Sequence, residues 1–185
     1  MKFCLLLLAL TLNSCAIKGN FAGLYSYYHK MQVQKPDLYV AYSPNTSVCD
    51  LTPTNQAKVY LTRGLDLKKC LNSAQKAVVY IWGAKCKSKM CIPLELLQQK
   101  CRAQNIDLYV VAEYYDNQEM DYNYPLTHPV FGIDTEYYQS DRTAKYLSGF
   151  IFDLTGSVTP QMRYLYFKNG EFVGAYAFID DIKSD

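Results

Sequence analysis

Val78-Val79-Tyr80-Ile81-Trp82-Gly83-Ala84-Lys85-Cys86-Lys87-Ser88-Lys89-Met90-Cys91 holds both a buried element and a reactive one. Its first half is a nearly continuous apolar run rich in β-formers, the pattern of a strand covered on both faces. The run breaks at Gly83, and two cysteines follow, the first with three lysines around it, Lys85 before it and Lys87 and Lys89 between the pair. Leu94, Leu97 and Cys101 follow at i, i+3 and i+7, one face of a helix from about Ile92 to Gln104. Thiol exchange needs a thiolate, which a helix N-terminus and nearby cations favour over the neutral thiol. On a regular helix, residues five apart point about 140° apart. A Cys86–Cys91 bond therefore requires residues 86–90 to form a loop, with the helix starting near Cys91 or Pro93. Pro93 suits a first helical turn. Two readings of the pair follow. Cys86 attacks and Cys91 resolves the mixed disulfide, or the two form a structural staple in an exposed loop among solvated lysines.

Outward from this turn the pattern stays regular. Ile106 to Ala112 is a second buried strand, and the strand–helix–strand unit implies a parallel pair with a right-handed crossover. Upstream, Lys58 to Leu61 alternates like a strand, and Leu65, Leu67, Cys70 and Leu71 mark a short helix. Asp37 to Tyr42 is a short strand candidate in a segment punctuated by Pro36, Pro44 and Pro53. Downstream, 113–140 is polar and tyrosine-rich, with Pro125 and Pro129, and reads as a long loop. Asp141 to Phe150 reads as helix. Tyr164 to Tyr176 is a hairpin whose Asn169-Gly170 supplies the positive φ angles of a type I′ turn. A short helix near Phe178 to Ile182 ends the pattern.

The N-terminus belongs to another class of signal. Lys2 precedes an apolar stretch, Phe3 to Leu12, of signal-peptide length and too short for a bilayer, which needs about 20 residues. Leu12-Asn13-Ser14-Cys15 resembles the lipobox of bacterial lipoproteins. That resemblance implies a signal peptide over 1–14, lipid on Cys15, and a mature protein tethered to a membrane of the bacterial cell envelope, outside the cytoplasm. Disulfides persist in such a compartment. Cys4 leaves with the signal peptide and Cys15 carries lipid, so Cys49, Cys70, Cys86, Cys91 and Cys101 remain. Five is odd, and at least one thiol stays free or pairs with another molecule. Cys101, on the apolar helix face, reads as a buried free thiol, and a Cys49–Cys70 staple is open to the other two.

Composition narrows the classes further. The net charge is +2 with no basic run longer than Lys68-Lys69, which gives no footprint for nucleic acid. His29 and His128 stand apart from the cysteine pair, so no zinc or other metal set is formed. There is no phosphate loop, dinucleotide fingerprint or nucleophile elbow, and no cofactor is expected. The 18 tyrosines, scattered singly and in pairs, suit half-buried positions.

In order, strand, helix, strand, cysteines, helix, strand, helix, proline and hairpin resemble thioredoxin. Tyr60-Leu61-Thr62, Ala77-Val78-Val79 and Trp82-Gly83-Ala84-Lys85-Cys86 look like the opening half of that family. Thr143-Ala144-Lys145-Tyr146 and Phe167-Lys168-Asn169-Gly170-Glu171 look like its closing half. The similarity covers roughly residues 57–178. It implies an α/β, thioredoxin-like three-layer fold with a central mixed sheet over 57–185, preceded by a tether and N-terminal extension over 15–56 and carrying an insertion near 113–140. It implies Cys86 as nucleophile, Cys91 as its partner, and Trp82, Thr159 and Pro160 beside a bound protein substrate or redox partner. The alternative is a non-catalytic binding or structural lipoprotein of the same fold, its tyrosine-rich loop contacting a partner. Three features differ from the family: four residues separate the cysteines where the family has two, Tyr80 stands where the family has a buried acid, and Pro160 lies two residues further from Phe167, after a longer stretch from Tyr146.

Overall fold

The apolar run Lys76–Trp82 is a strand, and every residue in it after Lys76 is buried. In a computed structural model, residues 23–157 and 162–183 are described, and they form a mixed α/β structure. In chain order the elements are α1 (Tyr28–Gln34), β1 (Tyr39–Val40), β2 (Val59–Thr62), α2 (Gly64–Leu71), β3 (Lys76–Trp82), α3 (Leu94–Ala103), β4 (Asp107–Ala112), α4 (Asn117–Met120), β5 (Val130–Ile133), α5 (Thr143–Thr155), β6 (Tyr164–Lys168) and β7 (Glu171–Tyr176). The seven strands lie in one sheet in the order β1-β2-β5-β4-β3-β6-β7. β1 to β5 run parallel to their neighbours, whereas β6 is antiparallel to β3 and β7 to β6.

The period of two along β3 divides the core into two halves. Val78, Tyr80 and Trp82 pack with Leu94, Leu97 and Cys101 of α3. Ala77, Val79 and Ile81 pack with Leu67, Cys70 and Leu71 of α2 and with Tyr146, Phe150 and Leu154 of α5. A sheet covered by helices on both faces explains why its central strands read as unbroken apolar runs.

Helix ends follow local chemistry. Helix α3 stops where Asn105 adopts φ 53°, with the Ile106 N–H donated to Cys101 O at 2.9 Å and the Asn105 N–H to Arg102 O at 3.1 Å. That is a Schellman closure, which needs a residue tolerant of positive φ. The hairpin turn has φ 52° at Asn169 and 80° at Gly170, as its Asn-Gly sequence requires.

Three expectations needed correction. The segment 113–140 is not only loop, because it contributes α4 and β5, and β5 lies between β2 and β4. Strand β5 is just four residues long, follows Pro129 and contains Gly132, so its pattern is slight. Gly132 is required by close packing: a Cβ there would lie 2.5 Å from the Tyr115 hydroxyl, which donates to Ile133 O at 2.6 Å. Helix α5 runs on from Phe150 to Thr155, and Gly156 at φ 74° ends it. The N-terminal extension supplies a helix that the sequence did not signal, beside the strand expected within Asp37 to Tyr42, and its Tyr28, Leu38 and Tyr39 are buried in the α3-side core.

Candidate functional site

The chain between β3 and α3 is a turn whose backbone is fixed at four points. Cys86 N–H is donated to Gly83 O at 2.9 Å and Cys91 N–H to Ser88 O at 3.0 Å. Lys85 N–H is donated to the Tyr114 hydroxyl at 2.8 Å, and the Tyr164 hydroxyl donates to Met90 O at 2.9 Å. Cys86 and Cys91 are bonded to each other with Cα atoms 6.0 Å apart, within the usual span of a disulfide. Both are partly exposed, and residues 87–89 between them are exposed.

Three side chains set the polarity of the turn. Ser88 Oγ lies 3.3 Å from Cys86 Sγ and 3.6 Å from Cys91 Sγ, so one hydroxyl can donate to whichever sulfur carries charge once the bond opens. Lys85 Nζ is 2.6 Å from Asp116 Oδ2, and this hydrogen bond holds the ammonium charged above the usual lysine range. Asp116 also accepts from the Gln118 and Glu119 N–H groups, so it caps α4 while anchoring Lys85. Helix α3 begins three residues beyond Cys91 and eight beyond Cys86. A helix dipole acts mainly within its first turn. Cys91 is therefore the nearer of the two to the helix N-terminus, while Lys85 and Lys87 adjoin Cys86 in sequence.

Behind the turn lies Tyr80. It is fully buried, and its ring stacks on Tyr164 with centroids 4.7 Å apart. Burial raises its phenol, which stays protonated and cannot serve as a base. Tyr80 Oη has no partner of good hydrogen-bond geometry among the described residues; the Tyr164 hydroxyl beside it donates to Met90 O and still interacts with it. An unpaired buried hydroxyl costs roughly 1–3 kcal/mol. The Tyr80→Phe protein is thus expected to match or exceed the parent in stability, by up to about 2 kcal/mol in urea unfolding. A loss of more than about 1 kcal/mol would mean that this hydroxyl is partnered.

Gly83, where the strand turns out, passes close over an ion pair. A Cβ there would lie 3.0 Å from Glu113 Oε2 and 3.2 Å from Arg163 Nη1. Arg163 Nη1 bonds Glu113 Oε2 at 3.0 Å and Ile81 O at 2.9 Å. Trp82 is 6% exposed and meets Tyr124 edge-on at 5.5 Å, so it belongs to the core beneath the turn. Thr159, Pro160, Cys15 and the 1–14 segment lie outside the described residues.

The other cysteines take the arrangement the sequence left open. Cys49 and Cys70 are bonded, with Cα atoms 5.1 Å apart, tying the turn Val48–Asp50 to α2. Cys101 is a buried free thiol pushed up to about 12 by burial. His128 stacks on Tyr109 at 4.3 Å, and burial lowers its pKa. Among the described residues, no His/Cys/Asp/Glu group could hold a metal ion, and no helix is long and apolar enough to cross a membrane.

The sequence reading missed Ser88, Tyr114, Asp116 and Tyr164. Ser88 stood in plain view between the cysteines. Tyr114 and Tyr164 reach the turn from 29 and 74 residues away, and no local pattern signals that. Comparison of the chain with protein-family models, curated proteins and solved structures found no match.

Proposed function

We propose that this protein is a thioredoxin-like thiol–disulfide exchange protein, tethered by a lipid on Cys15 to a membrane of the bacterial cell envelope and acting on protein thiols outside the cytoplasm. The observation that carries this reading is a closed Cys86–Cys91 disulfide, partly exposed, in the turn from a buried central strand to a helix. The order β2-α2-β3-turn-α3-β4, then α5 and the β6–β7 hairpin, supports the family resemblance, with α4 and β5 as the insertion.

The chemistry balances as two exchanges. In the oxidised form a partner thiolate attacks Cys86 Sγ. A Cys86–partner disulfide forms, the Cys86–Cys91 bond breaks, and Cys91 leaves as a thiolate that takes up a proton. A second partner thiolate then attacks the partner sulfur of that mixed disulfide and releases Cys86. The partner has lost two electrons to become a disulfide, and the protein has gained them as a dithiol. Run backwards, Cys86 attacks a partner disulfide and Cys91 resolves it. Ser88 Oγ stabilises the sulfur that carries charge, and Thr159 and Pro160 would border the partner, as the family resemblance implies.

A second reading, a binding or structural lipoprotein with both disulfides as staples, is favoured by Tyr80, whose protonated phenol offers no base for the resolving step. Opening in a glutathione buffer separates the two. Alkylation and mass mapping are expected to find Cys86 and Cys91 labelled together while Cys49 and Cys70 stay bonded, since Cys70 is 1% exposed. If both bonds persist, or Cys49–Cys70 opens first, the staple reading stands.

A further inference from the structure

The lysines of the turn are not used alike. Lys85 is tied to Asp116, and Glu113, the acid beneath Gly83, is tied to Arg163. Lys87 and Lys89 are exposed, and neither forms an ion pair with a described residue. They flank Ser88 in sequence, whose hydroxyl touches both sulfurs, so the exposed segment between the two cysteines carries two cations and no acid. A third arrives from another part of the chain. Lys30 of α1 lines a cleft of about 140 Å³ beside the turn, together with Tyr27, Met31, Tyr114, Tyr115 and the paired Lys85 and Asp116, so Lys30 is the cation there not matched by an acid of the lining. Charges within about 8 Å act on one another at physiological salt, and a site of one sign steers an oppositely charged partner.

We infer that the preferred partner of this turn is a protein segment whose reacting cysteine is flanked by carboxylates. This inference rests on the exchange reading above. Lys87 and Lys89 receive the flanking acids on either side of the sulfur, and the cleft beside Lys30 takes a neighbouring side chain. An acidic segment is drawn in and a basic one repelled before any bond changes, so the selectivity lies in the association rate and weakens with salt.

Two synthetic peptides test it, one with its cysteine flanked by glutamates and the other by lysines, each capped as a mixed disulfide with 2-thiopyridine. The full chain is first reduced with dithiothreitol and desalted. Cys86 thiolate attacks the peptide sulfur, a Cys86–peptide disulfide forms, and the peptide–thiopyridine bond breaks. The released 2-thiopyridone takes a proton and is read by absorbance. At low salt the acidic peptide is expected to react about 10-fold faster or more, with the advantage shrinking as salt rises. In the Lys87→Glu/Lys89→Glu protein the preference is expected to reverse. Equal rates for the two peptides at low salt overturn the inference, as does a preference that the double variant leaves intact. If these lysines instead hold the protein to vesicles of phosphatidylglycerol and the peptides react alike, the surface belongs to a membrane and the inference is overturned. If neither peptide reacts although free thiols at 86 and 91 are verified, the exchange reading falls, and this one with it.

Discussion

The Cys86→Ser protein is expected to lose exchange with a partner disulfide, by on the order of 100-fold or more, because an alcohol is not a usable nucleophile where a thiolate was. The Cys91→Ser protein is expected to behave differently. Its Cys86 still attacks, but nothing within the turn displaces the partner, so a mixed disulfide accumulates and is seen as a partner-linked adduct by mass. The two variants also assign the roles. Helix α3 begins nearer Cys91 and the exposed lysines Lys87 and Lys89 lie between the sulfurs, so both cysteines have something that favours a thiolate. Adducts in the Cys91→Ser protein alone make Cys86 the attacking sulfur. Adducts in the Cys86→Ser protein alone reverse the assignment, and adducts in neither, with partner redox states unchanged, leave two staples. Either substitution also opens the Cys86–Cys91 loop, so urea unfolding of both variants is the control that loss of exchange is not loss of fold.

Removal of the other bond acts on stability instead. The Cys49→Ala/Cys70→Ala protein is expected to be about 3 kcal/mol less stable, since a cross-link closing a loop of this size restricts the unfolded chain by about that much. The bonded residues are 21 apart, against 5 for Cys86 and Cys91, for which the same relation gives about 2 kcal/mol. The larger bond also holds Val48 and Leu51 against α2, where they join Leu67 and Leu71 in the core. Urea unfolding measures it as a fall in midpoint of about 1–2 M, given slopes usual for proteins of this size. A fall below about 0.5 M would show that this segment docks without its staple. Exchange by Cys86 is expected to survive wherever the double variant is folded.

How much of this was legible in the sequence differs by kind of signal. Strand β3, helix α3, strand β4 and the hairpin were legible because each writes its burial into consecutive residues: Val78 to Trp82 is apolar throughout, and Asn169-Gly170 admits few other turns. The Cys86–Cys91 loop followed from helix geometry, since cysteines five apart cannot meet on a helix. Strand β5 was not legible, as Val130-Phe131-Gly132-Ile133 is short and its glycine is explained only by the Tyr115 ring it accommodates. Helix α1 escaped for a similar reason. Its buried face is the single residue Tyr28, too little to show a period. The site was half legible. Residue types and spacing exposed the thiols and lysines, whereas the Asp116 anchor and the Tyr114 and Tyr164 pins depend on chain crossings that sequence order does not record.

The neutral Tyr80 bears on mechanism as well as stability. If the turn exchanges thiols as proposed, Tyr80 offers no base, and proton removal from the second thiol falls to solvent, with Ser88 Oγ able to hydrogen-bond either sulfur. Whether this turn exchanges thiols therefore depends on its thermodynamic poise more than on its rate. Its most direct test is the equilibrium potential of the Cys86–Cys91 couple in the full chain, read by alkylation after equilibration with glutathione or dithiothreitol at graded ratios. An exchange site is expected to titrate above about −300 mV, where physiological thiols can open it. A couple well below about −300 mV would resist those thiols and make the turn a structural staple, contradicting the proposed function.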